Sequence, residues 1–109
     1  MAYSESLALR IRAALSRQKG VVEKKMFGGM GFLLRGNILV GVWKDSLIAR
    51  LGQEDGEQAL AEEHVRPFDI TGKAMKGWVL VEPEGVESER QLAAWMERAM
   101  EFVKGLPGK

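Results

Sequence analysis

The sequence predicts an α+β fold in two layers, an antiparallel sheet backed by helices. Three observations predict it. Residues 4–18 and 88–104 carry apolar side chains at helical spacing, whereas residues 21–51 break into strand-length apolar runs separated by turn residues. The strands are grouped between helices and do not alternate with them, which favours α+β over a parallel α/β sheet. The 109 residues fit one domain, 1–109, long enough to bury a self-supporting core.

The first helix, residues 4–18, has Leu7, Ile11, Ala14, Leu15 and Gln18 on one stripe, with Arg10, Arg12 and Arg17 off it. Ser4 suits its N-cap, Glu5 its first turn and Gly20 its stop. Runs at 22–27, 30–35, 38–43 and 46–51 describe a meander of three or four strands. Within it, Arg35-Gly36-Asn37-Ile38 reads as a two-residue hairpin with glycine first, which suits a type II′ turn. Trp43-Lys44-Asp45-Ser46 is a second tight connection. Phe32, Leu34, Leu39, Val42, Leu47 and Ile48 are the candidates for the buried face.

Residues 53–64 read as a short acidic helix with Ala59 and Leu60 inward, weakened at Gly56 by about 1 kcal/mol relative to alanine. Residues 65–77, with Pro67, Gly72 and Gly77, read as an extended connector. Residues 78–82 form one later strand ended by Pro83. The last helix opens on a capping box, Ser88-Glu89-Arg90-Gln91, in which the serine oxygen accepts an orphan backbone N–H and the glutamine reaches back. Leu92, Trp95, Met96, Ala99, Phe102 and Val103 make its apolar stripe, and Gly105 and Pro107 stop it.

Composition narrows the function. The absence of cysteine excludes disulfides, thiolate metal sites and cysteine nucleophiles. The N-terminus has no signal-peptide pattern and no stretch approaches membrane-spanning length, so a cytoplasmic protein without a membrane partner is expected. Net charge is +1, but residues 1–52 hold nine Lys/Arg against three Asp/Glu, and residues 53–109 hold seven against twelve. This split admits solvated faces, a basic surface meeting an acidic one in a dimer or with another protein, or nucleic-acid binding. The last would be expected to bring a larger positive net charge.

The run Lys24-Lys25-Met26-Phe27-Gly28-Gly29-Met30-Gly31-Phe32 is the most distinctive feature. Three glycines in four residues mark a forced backbone geometry or a close approach. The cluster does not complete G-x-G-x-x-G and no helix follows it, so it reads as a tight turn and not as a phosphate cradle. In that turn Gly28 or Gly29 takes positive φ and Gly31 admits an aromatic neighbour. The same run resembles the signature of the TfoX/Sxy family N-terminal domain: a basic pair, Met-Phe-Gly-Gly, then a strand. Gly36, Asp45-Ser46-Leu47, Arg66-Pro67-Phe68-Asp69, Gly77-Trp78 and the tail helix through Trp95 and Phe102 extend the resemblance over essentially the whole chain.

The resemblance implies a two-layer fold of the secretion-chaperone type, which often pairs as a homodimer, and a bacterial regulator of transcription. Full-length members regulate natural competence together with a cyclic-AMP-dependent transcription activator and carry a second, helical domain. A chain ending at Lys109 is expected to lack that domain, which leaves competence regulation open. The family supplies no catalytic residues.

The residues themselves offer few sites. His64 is the one histidine, beside Glu62 and Glu63, and reads as a solvated side chain near a helix end. No Ser/His/Asp arrangement accompanies it. The aromatics Phe27, Phe32, Trp43, Phe68, Trp78, Trp95 and Phe102 read mostly as core. The expectation is a non-enzymatic, protein-binding regulatory module with no cofactor and no metal. Its interaction or anion patch is Arg10, Arg12, Arg17, Lys24 and Lys25, with Met26, Phe27, Gly28, Gly29 and Gly31 as a structural motif. A nucleic-acid accessory protein using the basic N-terminal third with Lys19, or a small-ligand binder near residues 27–31, are the alternatives.

Overall fold

A computed structural model describes residues 3–26, 28–69 and 72–108. Helix α1 (Glu5–Ala14) leads into β1 (Val21–Met26), β2 (Gly29–Leu34), β3 (Asn37–Trp43) and β4 (Ser46–Arg50). Then come α2 (Gln53–Ala59), β5 (Val65–Pro67), β6 (Trp78–Val81), a 3-10 turn at Pro83–Gly85, and α3 (Glu89–Val103). The six strands form one antiparallel sheet in the order β1-β2-β3-β4-β6-β5. The α+β architecture, with helices at the start, middle and end, is therefore the one the sequence predicts.

Both long helices begin as their caps dictate. The Ser4 hydroxyl accepts the Leu7 N–H, and Ser88 and Gln91 form the reciprocal capping box. Leu7 and Ile11 from α1, Leu15 just after it, and Leu92, Trp95, Ala99 and Val103 from α3 pack with Phe32, Leu34, Leu39, Val42, Leu47 and Val79 into one core on one face of the sheet. A smaller cluster, Ile48, Phe68 and Leu80 with Trp43, Met75 and Trp78 against it, lies on the opposite face. There the Phe68 and Trp78 rings stack with centroids 5.7 Å apart. The segment after β5 thus crosses back under β4 and β6.

Six local features depart from the sequence reading, each for a physical reason. Ile48 is buried but faces the second cluster, because alternate residues of β4 must point to opposite sides and Leu47 and Ala49 occupy the core side. The β2–β3 loop is Arg35-Gly36, closed by Leu34 and Asn37. Both loop residues have positive φ, 51° and 86°, the pattern of a type I′ turn and not of type II′. Helix α1 ends at Ala14, where Ser16 and Gln18 bond three residues back to Ala13 and Leu15, leaving Ala14 and Gln18 exposed.

Helix α2 stops at Ala59, and Leu60 is 41% exposed. The chain must turn there so that the His64 carbonyl meets the Glu82 N–H and lays β5 beside β6. The connector consequently begins with a strand that its single proline obscured. A register shift between Phe32 and Leu33 adds one residue to β3, so that Leu39 and Val40 both enter the core.

Arg50, at the end of β4, ties the sheet to α3. Its guanidinium carbon lies 5.1 Å from the Trp78 ring centroid and 5.7 Å from that of Phe102. Burial lowers its pKa below the ordinary arginine value. Arg50→Ala should therefore destabilise the fold by about 1–2 kcal/mol, the range for a partly desolvated cation over aromatic rings. Urea denaturation would measure this loss, and Arg50→Lys should recover only part of it.

Candidate interaction surface

Strand β1 is the exposed edge of the sheet, and the family-like motif forms its turn. Four of its six residues, Val22, Glu23, Lys24 and Lys25, are exposed. Its register on β2 places Val22 opposite Leu33, Glu23 opposite Phe32, Lys24 opposite Gly31 and Met26 opposite Gly29. Residues opposite each other share a face. Glu23 and Lys25 therefore lie on the helix-covered side with Phe32, and Val22, Lys24 and Met26 on the outer side.

The glycines of the motif are packed and not open. Gly28 takes φ 76° at the tip of the turn, with open space around it. Phe27 lies outside the described residues. A Cβ on Gly29 would collide with the backbone carbonyl of Val42, so β2 and β3 approach there closer than any side chain permits. At Gly31 the occupying neighbour is Met26, whose sulfur would stand 2.6 Å from an added Cβ. The expected aromatic neighbour is therefore a methionine, whose unbranched thioether lies flat across the glycine.

The predicted basic residues are not all gathered in one place. Arg10 is committed to the start of α3: its Nε donates to Glu89 Oε1 at 2.6 Å, and its Nη2 donates to the Glu87 and Ser88 carbonyls at 3.3 Å each. Arg12 forks onto Glu23, donating from Nε and Nη2 to the two carboxylate oxygens at 2.6 Å each. This pair raises the Arg12 pKa and lowers that of Glu23, chiefly through the hydrogen bonds. It also fastens α1 to β1 beside a groove of about 300 Å³ that Leu15, Gln18 and Val21 help to line. Arg17 and Lys19 are exposed in the turn before β1, and Lys24 and Lys25 project from opposite faces of β1.

His64 lies at the far side of the sheet with φ 66°, 3.9 Å from the exposed Glu63 carboxylate. It borders a second groove of about 320 Å³ with Trp95 and Arg98. Arg98 stacks on Trp95 at 4.5 Å and donates to Glu62 at 3.0 Å. Among the described residues, no group of three metal-ligating side chains stands together. No described helix is long and apolar enough to cross a membrane.

Sequence reasoning passed over two features of this surface. The bidentate Arg12–Glu23 pair joins residues on different elements, and no local spacing announces such a pair. The edge position of β1 depends on where β6 inserts. An apolar strand followed by proline says that β6 is buried, but not between which neighbours.

The family model described as the TfoX N-terminal domain matches residues 13–103, which takes in the whole sheet and α3. No curated protein and no solved structure matches the chain.

Gly29→Ala should destabilise the protein by about 1–3 kcal/mol, because backbone and not a flexible side chain must give way. Gly28→Ala should cost about 1–2 kcal/mol from its left-handed backbone alone. Thermal melts of the two variants test this order. The pH dependence follows from the Arg12–Glu23 pair. Glu23 has a folded pKa below its ordinary 4.5, so its contribution is complete above that value and is lost as pH falls through the folded one. The stability difference between wild type and Arg12→Ala should narrow as pH drops below 4.5, as read by denaturant titration at several pH values.

Proposed function

The chain belongs to the TfoX N-terminal domain family, and from that premise we propose that it is a non-enzymatic interaction module of gene regulation. In this reading it binds another protein, a transcription regulator, in the cytoplasm. The observation that carries the reading is the use made of the motif. Its glycines are filled by Met26 and pressed against the Val42 carbonyl, so the motif shapes a firm strand edge and does not cradle a ligand. That edge presents backbone groups, the Lys24 and Lys25 ammonium groups and the exposed Val22 side chain together. Edge strands with alternating side-chain contacts are a recurrent way of capturing a protein partner.

The basic excess of the first half is partly neutralised within the fold, since Arg10 is bound to Glu89 of the acidic second half. This weakens the nucleic-acid reading relative to the protein-binding one. Cross-linking in the native cell, followed by mass spectrometry, should recover a transcription regulator joined through Lys24 or Lys25. Deleting the gene should change the transcripts which that regulator controls. Recovery of no regulator, with unchanged transcripts, would contradict the reading, as would steady turnover of a substrate.

A further inference from the structure

The two ends of the sheet are built differently. At one end β5 is three residues long and contains Pro67. The His64 carbonyl bonds to the Glu82 N–H, so every second residue along β5, Arg66 next, turns its backbone groups inward to β6. Pro67 therefore faces the outer edge with no N–H to offer, a device that blunts an edge. At the other end β1 runs six residues without proline. The Arg35 N–H donates to the Gly20 carbonyl at 3.1 Å, which sets the phase of the β1–β2 ladder. Counting in twos, Val22, Lys24 and Met26 bond to β2, and Val21, Glu23 and Lys25 turn their N–H and C=O groups to the open edge.

We infer that, while no regulator occupies the edge, β1 pairs antiparallel with β1 of a second copy of this chain, about a two-fold axis through Lys24, setting Glu23 of each copy opposite Lys25 of the other. The axis stands perpendicular to the sheet, so only registers joining residues of one face are allowed, and the outward-turned residues must meet each other. Among the registers centred on a charged residue of β1 the sequence discriminates. Centring on Glu23 sets two carboxylates against each other, and centring on Lys25 sets two ammonium groups together on the helix-covered side. Centring on Lys24 gives a Glu–Lys pair on each side of the axis and sets Val22 against Met26 on the outer face. Only Lys24 then meets its own copy, on the outer side where its long chain can splay into water.

Edge charges normally discourage pairing with arbitrary strands. Here their order also selects one partner, the same strand reversed. The pairing is isologous and closes at two copies, whereas a β1–β5 contact would be head-to-tail and Pro67 disfavours it.

The chain has no cysteine, which makes a single introduced thiol a ruler. In the proposed register the Cα atoms of the two Lys24 residues stand about 4.5 Å apart, within disulfide reach. The two Val22 residues are about four residues apart along the strands, beyond it. Lys24→Cys should cross-link to a covalent dimer under diamide, and Val22→Cys should not. Lys25→Pro removes an outward N–H and leaves the β1–β2 ladder intact. It should weaken self-association by about tenfold or more in sedimentation equilibrium while melting near the wild type. Should that variant fail to fold, the cysteine pair decides alone. Wild type that sediments as a monomer throughout the micromolar range would overturn the inference, as would equal cross-linking of the two cysteine variants. A monomer that still binds its regulator would overturn this inference and leave the proposed function standing.

Discussion

An antiparallel sheet cannot satisfy the outermost backbone groups of its two end strands by itself. Here the insertion of β6 between β4 and β5 decides which strands are left at the ends. One end strand is short and closed by Pro67, and the other is β1, paired in unbroken register with β2 over six residues. The unbroken register of β1 has identifiable supports. Met26 lies across Gly31, β2 sits against the Val42 carbonyl at Gly29, and Arg12 grips Glu23 from α1. The features that look decorative in the motif therefore serve to present one strand.

The same strand order gives the uneven charge distribution a spatial meaning. The basic first half of the chain builds α1 and the β1 side of the sheet, and the acidic second half supplies α2, β5, β6 and α3. Arg10–Glu89 and Arg98–Glu62 are both exposed at their acidic partner, Arg10–Glu89 joins the two halves, and such pairs add little stability. The remaining basic side chains near β1 stay solvated and available to set orientation and approach rate for an acidic partner.

Much of this was legible from the residues. The three helices, the four-strand meander and β6 follow from periodicity and caps, because Ser4, Ser88 and Gln91 act locally and the alternation of β2 to β4 is strong. Local patterns fall short where a distant partner overrides local preference. Hydrophobicity alone groups Ile48 with Leu47, although a second cluster built from Phe68 and Leu80 takes Ile48 on the other face. Strand β5 was hidden because its three residues contain a proline, and its pairing is with a strand more than ten residues away. The hairpin at Arg35-Gly36 shows a non-glycine residue accepting positive φ, held by an Arg35 hydrogen bond to the Lys104 carbonyl that no local pattern encodes. Of the surface itself, the sequence carried the basic pair and the glycines; it did not carry the fact that they lie on an unpaired edge.

The most direct measurement is amide hydrogen exchange along β1 as a function of protein concentration. The outward-turned amides of Glu23 and Lys25 should exchange slowly in concentrated solution and speed up on dilution, while those of Val22 and Lys24, bonded to β2, stay protected throughout. Rapid exchange at Glu23 and Lys25 at every concentration would show that nothing covers this edge, and would contradict the account.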